Sequence, residues 1–342
     1  MKAMSLRGIT SIPENPYPLD LTELPVPIPE ENEILLRVST CGVCHTELDE
    51  IEGRTPPPKF PVIPGHQVVG IIEGKGNQVS KYSIGDRVGV AWIFSSCGVC
   101  KYCRSKLENL CPEFKATGRD VNGGYAEYMT VPASFAYSIP DVFSDIEAAP
   151  LLCAGVIGYR SLRLTGMVNG DSLGLTGFGG SGHIVLKLVK HHYPDSQVYV
   201  FSRTETERDF AVELGADWAG DIDEEPPSKL DVIIDTTPVW KPVVCSMRNL
   251  APGGRLVINA IRKERSDQEY LQNLDYPNHL WMEKEIKSVA NVTRLDVQNF
   301  LDLASKIPLK PDTQVYSLEN ANKALVELKT RKIRGAKVLK IN

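Results

Sequence analysis

The stretch DSLGLTGFGGSGHIVLKLVKHH, residues 171–192, limits the fold of this 342-residue chain more than any other. An apolar strand runs into a glycine-rich loop, and an amphipathic helix opens directly behind it. QVYVFS (197–202), ETERDFAVELGA (205–216), LDVIIDTT (230–237) and GGRLVINA (253–260) continue the alternation of strand and helix. Such alternation implies a doubly wound parallel sheet covered on both faces. Within the loop, Gly177, Gly179 and Gly182 form G-x-G-x-x-G, with Gly180 and Ser181 between them. In this strand–loop–helix context the first glycine permits the turn, the second lets a pyrophosphate approach the backbone, and the third allows close helix–strand packing. The helix N-terminus then offers unpaired N–H groups to the phosphates. NAD-binding chains carry Asp or Glu about twenty residues further on. Here Ser202, Arg203 and Thr204 stand there. A hydroxyl and a guanidinium suit a 2′-phosphate that a carboxylate would repel, so NADP(H) is the expected cofactor. A solvated arginine in a loop is the plainer alternative.

The first 150 residues have a different texture. NEILLRVST (32–40), VVGIIEGKG (68–76) and GDRVGVAWI (85–93) read as strands between turns. Residues 13–32 hold too many prolines for a helix and are expected as extended surface chain, and DIDEEPPSK (221–229) as a solvated loop. A net charge of −5 without a Lys/Arg block argues against nucleic-acid or anionic-membrane binding. No apolar run reaches membrane-spanning length, and the opening MKAMSLRGIT reads as a first strand rather than a signal peptide. The expected setting is cytoplasmic, where eight cysteines serve as metal ligands or buried thiols rather than disulfides.

CGVCKYCRSKLENLC places Cys97, Cys100, Cys103 and Cys111 in a C-x2-C-x2-C-x7-C array. Four thiolates this close can close a tetrahedron around Zn2+ and leave no open position, as a structural zinc requires. An iron–sulfur cluster also takes four thiolates, and a chance cluster of buried cysteines is the bland reading. A second concentration, CGVCHTELDE (41–50), combines two thiols, a histidine, a threonine and three carboxylates. Its metal, redox and purely structural readings remain open on composition alone.

Four motifs occur in order and together. They are CGVCHT (41–46), GHQVVGIIEGKGNQV (65–79), the cysteine array, and LLCAGVIGYRSL (151–162). With the glycine loop, they make the chain resemble the zinc-dependent alcohol dehydrogenases of the medium-chain dehydrogenase/reductase family over nearly its whole length. The resemblance implies a GroES-like β-rich catalytic domain (1–151, zinc lobe 95–113), a Rossmann cofactor domain (152–288) and a C-terminal return to the catalytic domain (289–342). It implies Cys44, His66 and Cys153 as ligands of a catalytic zinc, the four-cysteine array holding a second, structural one. It also places His45 near the cofactor pyrophosphate, Thr46 on the substrate oxygen as proton carrier, and Glu47 behind the zinc ligands. Cys41 and Cys245 then read as packed thiols. The implied reaction passes hydride between the nicotinamide and an alcohol, aldehyde or ketone whose oxygen the metal polarises. The substrate is expected in the cleft between domains, and the assembly as a homodimer or homotetramer.

Three positions depart from the family pattern. Gln67 replaces the usual glutamate after the ligand histidine. The lost charge, about 5 Å away at an effective dielectric of about 20, is worth roughly 3 kcal/mol at most and leaves the metal more electrophilic. Asp49 stands where many relatives carry a proton-relaying histidine; its carboxylate is a poorer shuttle near neutrality, which favours carbonyl reduction as the working direction. Ile157 replaces a common threonine beside the nicotinamide. A quinone or enone reductase on the same fold and a non-catalytic NADP(H)-sensing zinc protein are the rival readings.

Overall fold

The computed structural model describes residues 1–307, 309–330 and 335–342; Pro308 and residues 331–334 of the expected C-terminal segment lie outside it. Two compact units result, one of Met1–Cys153 with Val292–Asn342 and the other of Ala154–Asn291. No helix among the described residues is long and apolar enough to cross a membrane.

The first unit opens with β1 (Lys2–Leu6), which pairs antiparallel with β2 (Leu19–Glu23). The second strand gives the extended, largely exposed chain expected over 13–32 a pairing partner. Prolines flank residues 19–24 but do not interrupt them, so this window retains every N–H a strand needs. The long β3 (Glu33–Val43) alternates Ile34, Leu36 and Val38 into the core. After it come the short helix α1 (His45–Ile51) and β4 (Val68–Lys75). GDRVGVAWI divides into β5 (Arg87–Val90) and β6 (Ile93–Ser95), and the latter leaves the main sheet to pair with β7 (Lys115–Ala116) beyond the one-turn helix α2 (Lys101–Arg104). Next are β8 (Tyr128–Pro132), β9 (Ala136–Ser138) and α3 (Asp145–Pro150).

The second unit contains α4 (Val156–Thr165), β10 (Ser172–Thr176), α5 (Gly180–His192), β11 (Gln197–Phe201), α6 (Glu205–Glu213) and β12 (Trp218–Gly220). It continues through β13 (Leu230–Asp235), α7 (Lys241–Asn249), β14 (Leu250–Ile258) and β15 (Glu285–Ser288). These strands form one parallel sheet in the order β12-β11-β10-β13-β14-β15. Strand order reverses at β10, so the glycine loop that follows it lies at the topological switch point, where open α/β sheets bind ligands. The chain then re-enters the first unit as α8 (Arg294–Lys306), β16 (Thr313–Ser317), α9 (Ala321–Lys329) and β17 (Ala336–Lys340). There β17 pairs with β3, giving the order β16-β17-β3-β4-β5-β9, with β8 also on β3.

The register of β3 on β4 sets the geometry of the site. Cys41 faces Val68, and the Gly42 N–H donates to the Gln67 carbonyl at 3.0 Å. Cys44 and His66 therefore emerge at the same end of the strand pair. Gly65 makes that exit possible: its φ is +99°, and a Cβ there would overlap the Tyr125 ring and lie 2.9 Å from Cys41 Sγ. Gly65→Ala is expected to destabilise the first unit by about 2–3 kcal/mol, read as a lower denaturant midpoint. Gly8→Ala, where added bulk meets nothing within 4 Å, should stay within about 0.5 kcal/mol of wild type.

Candidate active site

Cys44 caps α1. Its sulfur accepts from the Thr46 N–H at 3.4 Å, and its own N–H donates to Glu47 Oε2 at 2.8 Å, closing a capping box. The other Glu47 oxygen lies 2.6 Å from His66 Nδ1, and both side chains are fully buried. His66 is thereby turned so that Nε2 stands 3.7 Å from Cys44 Sγ. Cys153 completes the group from the π-helical turn Leu151–Gly155, which follows Pro150, a residue with no N–H for the carbonyl four positions back. The three ligand atoms lie within 4.8 Å of one another. Zn–S of about 2.3 Å and Zn–N of about 2.05 Å at tetrahedral angles imply a sulfur–nitrogen edge of about 3.6 Å, so the cradle fits one such ion. A carboxylate on the far nitrogen of a ligating imidazole is also the support that metal sites use.

Electrostatics agree with a cation-seeking pocket. Burial alone would pull the His66 pKa down, but the Glu47 carboxylate and the Cys44 sulfur outweigh it and raise it well above its ordinary value. The Cys44 thiol is pushed far up by its hydrogen bond with Cys153, by burial and by Glu47. Nearby, Glu50 is buried, and burial and Glu47 drive its pKa upward against the pull of Arg119 and the Trp92 side chain. Gln67 Nε2 is buried with no hydrogen-bond partner; such an orphan marks a place for internal water. Glu50 was visible in the sequence only as a third carboxylate, and nothing in the pattern distinguished it as buried.

Other expected positions distribute as follows. Thr46 is half-buried in the first turn of α1, and His45 is exposed beside it. Asp49 is neither solvated nor open to a passing proton: it is buried, and Arg54 Nε donates to its Oδ1 at 2.5 Å while the same guanidinium reaches Glu52. That bond ties Asp49 to the chain that follows α1. Cys41 and Cys245 are buried among apolar side chains.

In the lobe, Sγ–Sγ separations are 3.5 Å for Cys111–Cys97, 3.6 Å for Cys100–Cys103 and 3.9 Å for Cys97–Cys103. These exceed any disulfide and match the edge of about 3.8 Å that four sulfurs make around one zinc. A multi-iron cluster would spread them further. Backbone N–H groups of Val99 and Cys100 hold the Cys97 thiol down to about 7, and burial pushes Cys111 up to about 11. Glu108 docks the lobe, accepting from the Arg294 backbone at 2.9 Å and from its Nε at 3.0 Å.

The cofactor loop belongs to the second unit. Gly177 has φ +79°, and a Cβ there would lie 2.6 Å from Thr236 Oγ1; at Gly182 it would lie 2.9 Å from the Gly177 carbonyl. Above Gly179 nothing stands within 4 Å, so space for a phosphate exists at the start of the 13-residue α5. At the end of β11, Ser202 is buried and donates its hydroxyl to Glu207 Oε2. Thr204 caps α6 by accepting from the Glu207 N–H at 3.3 Å, and Arg203 is exposed. Arg208, which motif reading missed, donates from Nη1 to the carbonyls of Ser202 at 2.9 Å and Arg203 at 3.2 Å.

Residues 30–141 match the alcohol dehydrogenase GroES-like domain. Over 334 residues the chain is 42% identical to the probable alcohol dehydrogenase AdhA of Mycobacterium tuberculosis, spanning 96% of this chain and 94% of that one. It is 34% identical over 336 residues to an alcohol dehydrogenase of Geobacillus stearothermophilus, with 94% and 96% covered. The chain belongs to the zinc-type medium-chain alcohol dehydrogenases. Its fold matches a cobalt- and zinc-bound thermostable alcohol dehydrogenase from Pyrobaculum aerophilum with a TM-score of 0.85, at 26% identity and 99% coverage of both chains. For an alcohol dehydrogenase of this family, the Glu47–His66 pair is the support on which the metal cradle stands. Glu47→Ala is expected to weaken metal binding at Cys44, His66 and Cys153 by about 10–100-fold, measured by chelator competition, with the lobe ion retained.

Proposed function

We propose that the chain is an NADP(H)-preferring alcohol dehydrogenase and aldehyde reductase carrying two zinc ions, one in the lobe and one held by Cys44, His66 and Cys153. The observation that carries this is the three-ligand cradle, with His66 fixed by Glu47 and no fourth Cys, His, Asp or Glu ligand in its group among the described residues. Three protein ligands with an open corner characterise catalytic zinc, and four sulfurs characterise structural zinc. A zinc ion held by Cys44, His66 and Cys153 would supply a Lewis acid for a carbonyl or alcohol oxygen, and a nicotinamide would supply or take the hydride. Glu47 fixes the imidazole, and the Thr46 hydroxyl holds the proton that the substrate oxygen gains or loses. Asp49, bound to Arg54, holds the α1 segment in place rather than carrying that proton onward. Support for NADP(H) comes from the lack of a carboxylate at Ser202 and from Arg203 and Arg208 beside it.

With metal-replete protein, a panel of aldehydes, alcohols and quinones should show carbonyl reduction and alcohol oxidation with kcat/KM at least about tenfold higher for NADPH than for NADH. A preference for NADH would overturn the cofactor reading, and turnover of quinones alone would replace the substrate class. Elemental analysis should find two zinc ions per chain, falling to one in Cys153→Ser.

Association of identical chains is part of this reading. Among the described residues the edge strand β15 pairs only with β14, and it is exposed throughout, with Ile286 on it and Trp281 and Met282 just before it also exposed. An uncovered apolar edge is what a second copy would bury. Ile286→Asp is expected to shift the native mass, measured by light scattering, towards the monomer; a monomeric wild type would refute the assignment.

A further inference from the structure

We infer that Glu207 tunes the cofactor preference of this chain by working against the 2′-phosphate; the inference rests on the cofactor reading above. The hydroxyl expected to greet that phosphate is already engaged, because Ser202 Oγ donates to Glu207 Oε2. The bond joins the buried end of β11 to the exposed first turn of α6, and the carboxylate sits five residues beyond the position where a ribose-binding acid is expected. Arg208 anchors the same loop through the carbonyls of Ser202 and Arg203, so cation and anion converge on one short segment. A bound 2′-phosphate needs the Ser202 proton for itself, and it brings a second negative group to within hydrogen-bond range of a residue already touching a carboxylate. Binding of NADP(H) therefore requires that Glu207 release Ser202 and turn towards solvent, which its exposure allows. NAD(H) makes no such demand, since a ribose 2′-hydroxyl can donate to the carboxylate where it stands. The two arginines favour the phosphorylated cofactor, and Glu207 offsets part of that preference.

Isothermal titration of the zinc-loaded protein with adenosine 2′,5′-bisphosphate and with 5′-AMP isolates the 2′-phosphate from the chemistry at the nicotinamide. Glu207→Gln keeps a hydrogen-bond acceptor for Ser202 but removes the charge, and Glu207→Ala removes both. Both variants should bind the bisphosphate about tenfold tighter than wild type, with 5′-AMP bound no tighter than by wild type. Each should retain the wild-type melting temperature within a few degrees, since the α6 cap uses the Glu207 backbone and the Thr204 side chain. If neither variant changes the ratio of the two affinities, the role of Glu207 is refuted. If wild type shows no preference for the bisphosphate but the variants do, the NADP(H) preference falls while the role of Glu207 stands.

Discussion

Both carboxylate oxygens of Glu47 are committed, one to the Cys44 N–H and one to the His66 ring, and the active site depends on that double attachment. A fully buried carboxylate is costly unless its charge is matched. Here one backbone donor and one imidazole meet it, and its negative charge is felt at Cys41, Cys44, Glu50 and Tyr125, whose pKa values it helps to raise. With the Cys44 thiol raised by its neighbours, a cation held there would displace its proton. The arrangement also ties local structure to chemistry, because the bond that caps α1 belongs to the same side chain that orients the ligand histidine.

Sheet register supplies the rest of the positioning. Antiparallel pairing of β3 with β4 brings Cys44 and His66 together across 22 positions of sequence, and the tight turn at Gly65 admits no larger residue beside Tyr125. In the second unit, reversal of strand order at β10 opens the crevice, and three glycines each serve a separate steric need: positive φ at Gly177, open space at Gly179 and close packing at Gly182. None of these positions is interchangeable with the others.

How much of this could be read from the sequence follows from the range of each interaction. The strand–helix alternation, the glycine loop and the four-cysteine array are local, and strand periodicity or residue spacing carries them directly. Cys153 is remote from Cys44 in sequence and became a candidate only through resemblance, because no spacing rule connects a strand end to a π-helical turn. Side-chain partnerships across a turn were least legible. Asp49 with Arg54, and Ser202 with Glu207, are both separated by five residues, and which rotamer each adopts depends on packing that a motif does not encode. Residues 13–32 were legible as extended surface chain, and only the pairing of β2 with β1 lay beyond the proline pattern.

The first unit thus holds two side-chain groups that could each take a metal ion, and they are built differently. In the lobe, backbone N–H groups point at sulfur and hold the Cys97 thiol near neutrality, four sulfurs close the coordination sphere, and Glu108 fastens the whole to α8 through Arg294. At the other group the Cys44 thiol is raised, a carboxylate lies behind the imidazole, and three candidate ligands converge among the described residues. Four sulfurs would close the coordination sphere and leave no position for a further ligand. A group of three ligands would instead leave a metal ion short of one, and that missing corner is where an oxygen could be bound and polarised. Ligand count and hydrogen-bond polarity thus separate the structural role from the chemical one without reference to where either cradle lies in the chain.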